Sequence, residues 1–312
     1  MNLLEVLRSR VAGLPNGSHS DGIRAVVRHV EAAAGHLRRG QETRDETPFT
    51  DAIYRTNQGF EGSLKEAYRV LASEDPGKIS PYEIEQYFQK EGRLRPRVLA
   101  QFTNYRREWR NPSTHDHRLD FDEDEALLAI VSVCAFAIVL IDQVAEKLSF
   151  DAARAEVESV SSPAPSGPLL TQTLNLLKQY AAAARPIDGT SLSLRGAQVT
   201  GSLAGFLSAT LPSIPIQTDV ALSTNPRREA DLVIGHQGEQ IVVEIKSSPP
   251  RRILLDQAIE QVSRYAKAAG IRHAIVYFHP TGNGTEIITE EKNVVETGGT
   301  VFVVRPKPEG GG

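Results

Sequence analysis

Apolar positions in the first half of the chain recur every three or four residues, the spacing that places them on one face of an α-helix. The pattern predicts amphipathic helices at about 2–11, 21–39, 61–73 and 81–90, and a loop or irregular connection at 43–57. No strand-like alternation of apolar and polar positions interrupts this region. The first half is therefore predicted to be an all-α bundle.

Two further helices complete the predicted bundle. Pro96 suits the first turn of a helix that runs to about Arg110 and ends before Pro112, because a proline disfavours helix in the residue ahead of it. Asp122 and Glu125 have the spacing of a capping box, which predicts the start of a helix that runs to about residue 148.

This last helix carries the most apolar segment of the chain, residues 126–141. The segment is apolar almost all round, so we expect the helix to be packed on several sides. A membrane-spanning helix needs roughly 20 apolar residues. The segment is shorter, and it is therefore predicted to be a buried helix rather than a membrane span.

The second half shows a different pattern, in which short β-branched runs alternate with helical segments. A Ser/Pro/Gly-rich linker at 159–168 is predicted to separate an all-α domain at 1–158 from a mixed-sheet α/β domain at 169–305, with a frayed tail at 306–312. The fold class is thus α plus α/β in two domains. Its predicted elements are a helix at 169–184, a strand at 214–222, a hairpin within 230–248, a helix at about 253–269, a strand at 273–278, and strands near Ile287 and Val301.

Composition narrows the class of protein. The length of 312 residues suits two domains, and 40% hydrophobic with 24% charged residues is typical of a soluble globular protein. The net charge of −4 argues against a basic protein that coats nucleic acid, so any such contact must come from local patches. The candidate patches are the six arginines between positions 93 and 110, and Arg227, Arg228, Arg251, Arg252, Arg264 and Lys267. One cysteine, Cys134, and no secretion signal predict a cytoplasmic location.

The hairpin at 230–248 carries the candidate chemistry. A two-residue turn at 237–238, or a four-residue loop about the same centre, places Asp231 opposite Glu244. Opposed side chains share a sheet face, where two carboxylates repel each other unless a cation lies between them. Lys246 alternates onto the same face as Glu244, and we expect this face to be exposed.

Such a site suits Mg²⁺, or Mn²⁺, bound by Asp231 and Glu244, with open positions for water and phosphate oxygens. The ion would polarise a phosphodiester, while Lys246 would orient water or offset charge in the transition state. The alternative interpretation is that all three residues are ordinary solvent-facing positions of an amphipathic hairpin.

The order Asp231, Glu244-Ile245-Lys246, then Gln261-x-x-x-Tyr265 on the next helix resembles the PD-(D/E)XK restriction-endonuclease-like superfamily, in its subgroups with a Gln-x-x-x-Tyr motif. The resemblance implies metal ligation by Asp231 and Glu244, a catalytic role for Lys246, and positioning of substrate or water by Gln261 and Tyr265. Ala230 stands where the family name has proline.

Arg110 and His115, in the predicted loop before the last helix of the bundle, resemble the Arg-x4-6-His signature of HEPN domains. The resemblance implies a dimeric site for metal-independent RNA cleavage, in which histidine acts as a general acid or base and arginine holds the phosphate. Two alternatives stay open: both residues are structural, or His115, Asp116 and His117 bind a metal.

The leading hypothesis is a cytoplasmic Mg²⁺-dependent endonuclease that cuts DNA, with an N-terminal module for dimerisation and RNA cleavage. By family analogy it is a prokaryotic defence or toxin-type effector with no membrane association. One alternative is a HEPN ribonuclease whose C-terminal domain only binds nucleic acid. Another is a non-catalytic scaffold or regulatory subunit that acts with a partner protein of a defence complex. A homodimer or higher homo-oligomer is expected.

Overall fold

A computed structural model describes residues 2–92, 94, 96–115, 118–159, 166–184, 191–224, 227–282, 285–294 and 299–308. The chain forms two compact units, Met1–Lys147 and Leu148–Gly312. The division falls inside a helix and precedes the predicted linker at 159–168, of which 160–165 lie outside the described residues. The α plus α/β class is confirmed.

The first unit is helical, and the described residues up to position 159 contain no strand. Its elements are α1 (Leu3–Ala12), α2 (Ser20–Thr43), α3 (Thr47–Leu71), a 3₁₀ turn (Pro76–Lys78), α4 (Pro81–Glu91), α5 (Pro96–Tyr105), a π-helical turn (Arg106–Arg110), α6 (Asn111–His115) and α7 (Glu123–Glu158). The predicted all-α character is confirmed.

The predicted loop at 43–57 is wrong, because most of it belongs to α3. Pro48 lies in the first turn of that helix, where a backbone N–H would have no partner and its loss is harmless. The proline therefore begins a helix rather than interrupting one.

The predicted helix end before Pro112 is also wrong. The backbone N–H of Asn111 bonds to the carbonyl of Arg106 five residues back, which is the π-helical pattern. A new helix, α6, begins directly after this turn, and Pro112 lies in its first turn. Arg110 and His115 therefore lie in consecutive helical segments, not in a loop.

Helix α7 begins with the predicted capping box, since Glu125 N donates to Asp122 Oδ1 at 2.8 Å and Asp122 N donates to Glu125 Oε2 at 3.1 Å. The helix continues well beyond residue 148, supported near its end by the Arg154–Glu158 ion pair at 2.7 Å. By length and composition α7 is able to cross a membrane, and half of its most apolar window is buried.

One side of α7 faces the core of the first unit and includes Cys134, which is buried. The expectation of packing on several sides is wrong for the other side. That side forms an exposed apolar stripe at helical spacing, consisting of Leu127, Leu128, Val131 and Val139 at 46, 55, 40 and 36% exposure.

The second unit is a mixed six-stranded sheet flanked by helices. Its elements are α8 (Leu169–Ala183), α9 (Leu192–Thr210), β1 (Ile216–Thr224), β2 (Arg227–His236), β3 (Glu239–Lys246), α10 (Arg252–Ala269), β4 (His273–Phe278), β5 (Ile287–Val294) and β6 (Gly299–Pro306). The strand order is β1-β2-β3-β4-β6-β5, in which β3/β4 and β4/β6 are parallel and the other pairs are antiparallel.

Each face of the sheet is covered by helices. Helices α8 and α9 pack on the face that includes Val243, Ile245 and Tyr277. Helix α10 packs on the opposite face against Val242 and Val276. Because β3, α10 and β4 form a parallel βαβ unit, the helix lies directly over the two central strands.

Two differences from the prediction concern this unit. Helix α9 was not predicted, because its three glycines and its β-branched residues weaken the helical pattern. The predicted tail begins inside β6, where Lys307 N still donates to the carbonyl of Glu286 at 2.8 Å.

Helix α9 approaches the end of α7 so closely that only glycine fits at position 205. A Cβ there would lie 2.2 Å from the carbonyl oxygen of Phe150, whereas a Cβ at Gly196 meets nothing within 4 Å. We expect Gly205→Ala to destabilise the protein by about 1–3 kcal/mol, since the backbone must shift.

The matched control is Gly196→Ala on the same helix, which should stabilise the protein by about 0.5–1 kcal/mol through its higher helix propensity. Thermal unfolding of both variants measures the difference. Equal stability of the two would contradict the close approach.

Candidate functional site

The β2–β3 hairpin has the predicted register. Five pairs, from His236↔Glu239 to Leu232↔Val243, are in place, and the turn lies at 237–238. Gly238 has φ +97°, a conformation that glycine adopts without strain. The regular pairing ends at Leu232↔Val243, one position before Asp231 and Glu244.

At Asp231 the regular ladder gives way to a side-chain bond. The Asp231 carboxylate Oδ2 accepts the backbone N–H of Ile245 at 2.6 Å. The side chains of β2 also change sheet face here. Leu232 packs on the α8/α9 face, whereas Ala230, two residues away, packs on the α10 face. Residues two apart normally share a face. Pairing between β2 and β3 therefore stops next to the acids.

The other candidate residues form one hydrogen-bonded chain. Lys246 Nζ donates to Glu244 Oε1 at 2.8 Å and to Gln261 Oε1 at 3.1 Å. Gln261 Nε2 in turn donates to the hydroxyl of Tyr265 at 2.8 Å. Gln261 and Tyr265 lie one turn apart on α10, so the helix holds the lysine in place over the end of β3. The fold thus brings Asp231, Glu244, Lys246, Gln261 and Tyr265 together.

The prediction that this face of the hairpin is exposed is wrong. The side chain of Glu244 is 5% exposed and that of Lys246 is 19% exposed, because α10 covers them. The Oε2 atom of Glu244 is buried and has no hydrogen-bond partner. A buried carboxylate oxygen without a partner is costly, and it leaves a ligand position for a cation.

Burial raises the pKa values of both acids, and the charge of Glu244 adds to the rise at Asp231. The pKa of Asp231 rises from 3.8 to about 7, first because of burial and then because of the Glu244 charge, against the lowering effect of the Ile245 N–H. Burial also raises the pKa of Glu244, although Lys246 opposes the shift. Without a cation, the two carboxylates are not readily ionised together.

A third acid, Asp219 on β1, lies beside this pair and was not identified from the sequence. Its charge contributes to the raised pKa of Asp231. In register, Asp219 and Asp231 fall between the pairs Thr218↔Leu232 and Val220↔Ala230. Identifying it requires the β1–β2 register, which the sequence pattern does not supply.

The residues present fit a magnesium site to which the protein supplies only a few ligands. Mg²⁺ is commonly held by one or two carboxylates while it keeps several waters. Asp231 and Glu244 supply two carboxylates, one of them with an unpartnered oxygen. Within the described ranges, no group of three Asp, Glu, His or Cys side chains surrounds a single point.

The second candidate site, in the first unit, is only partly placed by the structure. Arg110 is paired with Glu61, with Nε to Oε1 at 2.9 Å, and it also donates to Asn111 Oδ1 at 3.3 Å. The backbone of His115 ends α6, but its side chain lies outside the described residues, as do Asp116 and His117. The arginine is therefore already engaged by a carboxylate.

No family model matches the sequence, and no curated protein or solved structure matches the chain.

The raised pKa of Asp231 predicts a pH dependence of stability in the metal-free protein. The unfolded chain releases this proton near pH 4, whereas the folded chain keeps it until about pH 7. Since the folded state binds more protons in this window, its stability should fall as pH rises from 4 to 7, by up to about 1.4 kcal/mol per pH unit.

Urea unfolding in EDTA at pH 4.5 and 7.5 measures the effect, with Asp231→Asn as the comparison. The variant should lack this contribution and should be the more stable protein at pH 7.5. Parallel pH profiles of the two proteins would show that Asp231 titrates normally.

Proposed function

We propose that the protein is a Mg²⁺-dependent nuclease that hydrolyses phosphodiester bonds of DNA at the site on β2, β3 and α10, in a PD-(D/E)XK-like domain. The observation that carries the proposal is the partly buried hydrogen-bonded chain Glu244–Lys246–Gln261–Tyr265 next to Asp231. A cation-free site of this kind holds two mutually repelling acids, an arrangement that favours metal binding over stability.

Each side chain has a distinct role in this proposal. Asp231 and Glu244 hold the cation, which supplies Lewis-acid stabilisation of the phosphate when bound. Lys246 stabilises the negative charge that develops on the phosphate and orients the attacking water. Gln261 positions the lysine amine through its carbonyl oxygen, and Tyr265 fixes the amide by accepting its N–H.

Exposed arginines near the site would bind the phosphates of a polyanion. Arg251 and Arg252 are exposed at the start of α10, a few residues beyond Lys246. Arg264 is also exposed, although it pairs with Glu260 at 3.2 Å, and its carbonyl accepts Arg228 Nη1 at 3.1 Å. Arginines at such positions bind phosphates without reading base sequence.

The first unit is proposed to serve as a dimerisation module in a HEPN-like bundle. The exposed apolar stripe on α7 supports this role, because homodimer interfaces are more apolar than the ordinary protein surface. A two-fold interface uses the same patch on both copies, which a straight helical stripe satisfies. A second copy of the chain is therefore the proposed occupant.

The nuclease proposal predicts that Glu244→Gln and Lys246→Gln each lower Mg²⁺-dependent DNA cleavage by about 100-fold or more, since each removes a charge from the reacting site. Cleavage of labelled DNA by the purified protein, with Mg²⁺ or with EDTA, measures this loss. EDTA should abolish cleavage by the unmodified protein.

The control is Glu239→Gln, which removes the same charge from an exposed position on the same strand and should cut DNA normally. Undiminished cleavage by Glu244→Gln would exclude this site. A parallel assay with RNA tests the alternative activity: cleavage that persists in EDTA and disappears in His115→Ala would place the chemistry in the first unit.

The dimer proposal predicts that the double variant Leu128→Asp, Val131→Asp is monomeric, because two charges would be buried in the interface. Light scattering at micromolar concentration should give twice 34.1 kDa for the unmodified chain and 34.1 kDa for the variant. Leu192→Asp, at a leucine 65% exposed on α9, is the control and should remain dimeric. A monomeric unmodified chain would overturn the proposal.

A further inference from the structure

Helix α10 projects past the end of β3, the strand that it covers. The helix runs from the carboxyl ends of the parallel strands toward their amino ends, because it leads into His273, which pairs with Ile241 near the start of β3. Lys246, the last residue of β3, binds Gln261 on the helix. The residues of α10 ahead of Gln261 span about 13 Å at 1.5 Å per residue. The start of α10 therefore lies beyond the carboxyl end of β3.

This projecting segment, residues 251–257, is anchored on one side and open to solvent elsewhere. Leu254 and Leu255 are partly buried and pack against the core on the α10 face of the sheet. The other side chains of the segment are exposed, namely Arg251, Arg252, Ile253, Asp256 and Gln257. Ile253, at 75%, has the highest exposure among the large exposed hydrophobic residues in the described part of the chain. The segment thus presents two arginines, an apolar side chain and an amide to solvent.

Gln257 lies on the side of the segment that is nearest the site. It precedes Gln261 by four residues, which places it about 6 Å away along the helix and about 40° around it. Gln261 itself faces Lys246. By the same geometry Asp256 lies about 140° from Gln261, so its negative charge is on another side of the helix. A substrate that reaches Lys246 therefore passes Gln257.

The chemistry of the projecting segment suits the major groove of duplex DNA. This groove admits an α-helix, and the residues in the first turns of such a helix contact the edges of the bases. A glutamine amide has one acceptor and two donors, which match N6 and N7 of adenine in a bidentate contact. Exposed arginines at the tip, Arg251 and Arg252, would bind phosphates, and an apolar side chain such as Ile253 would pack on thymine methyl groups.

We propose that Gln257 determines a base preference of the nuclease, by a bidentate hydrogen bond to an adenine in the major groove of duplex DNA close to the cleaved bond. The inference rests on the proposed function and deepens it, since it specifies a double-stranded substrate and one base that is read. The base lies within about three base pairs of the cut, because Gln257 is about 6 Å from Gln261 along the helix and base pairs are about 3.4 Å apart.

The test is cleavage of a randomised duplex DNA library with Mg²⁺, followed by sequencing of the product ends. The unmodified protein should enrich adenine at one position near the cut by about 5-fold or more, the discrimination expected of one bidentate contact. Gln257→Ala should still cut DNA, because the residue contacts none of the reacting groups, but the enrichment should disappear.

A second variant, Gln257→Glu, separates base contact from a structural role. It should move the preference at the same position from adenine to cytosine, because a carboxylate accepts a hydrogen bond from the N4 amino group of cytosine. The matched control is Gln237→Glu, the same change at an exposed glutamine in the β2–β3 turn, at the other end of β3. This control should keep the adenine preference.

The possible outcomes separate this inference from the nuclease proposal. An adenine preference that persists in both Gln257 variants would overturn the base contact, as would uniformly weaker cleavage of all sequences, which would make Gln257 a phosphate contact. Cleavage by the unmodified protein with no base preference would also overturn it and would leave the nuclease site standing. No cleavage of DNA by the unmodified protein overturns both.

Discussion

The bond from the Ile245 amide to the Asp231 carboxylate determines how the site is built. In a continuous antiparallel ladder, that amide would donate to a backbone carbonyl of the neighbouring strand. Here a side chain takes its place, and the side chains of β2 change sheet face at Asp231, between Ala230 on the α10 face and Leu232 on the α8/α9 face. Pairing between β2 and β3 ends at Leu232↔Val243, and the aspartate that binds the Ile245 amide beyond it is itself part of the site.

Helix α10 supplies the remaining side chains of the site. It buries Glu244 and the stem of Lys246, and it contributes Gln261 and Tyr265 from adjacent turns. Burial makes each charge harder to solvate, which raises the pKa values of the acids, but it also strengthens the attraction of the acids for a cation. The same packing that destabilises the metal-free site therefore increases the stabilisation that a bound cation would provide.

The sequence predicted those parts of the fold that depend on local patterns. The hairpin register followed from a two-residue turn, and the order Asp231, Glu244, Lys246, Gln261 and Tyr265 was sufficient to group residues that the fold brings together. Burial of Glu244 was missed because alternation defines which side chains share a face, but not which face a helix covers. Asp219 was missed because its alignment depends on a bulge, which leaves no signature in the spacing.

The two prolines show the same limit in the helical unit. Pro48 and Pro112 both predicted interruptions, yet each lies in the first turn of a helix, where proline is tolerated. For Pro112 the decisive feature is the π-helical turn ahead of it, which changes the hydrogen-bond partner of Asn111 and leaves Arg110 facing Glu61. A motif such as Arg110-x4-His115 gives only a spacing along the chain. Whether its arginine reaches a phosphate depends on a competing carboxylate from α3, and the ion pair at 2.9 Å means that any ligand of Arg110 must first displace Glu61.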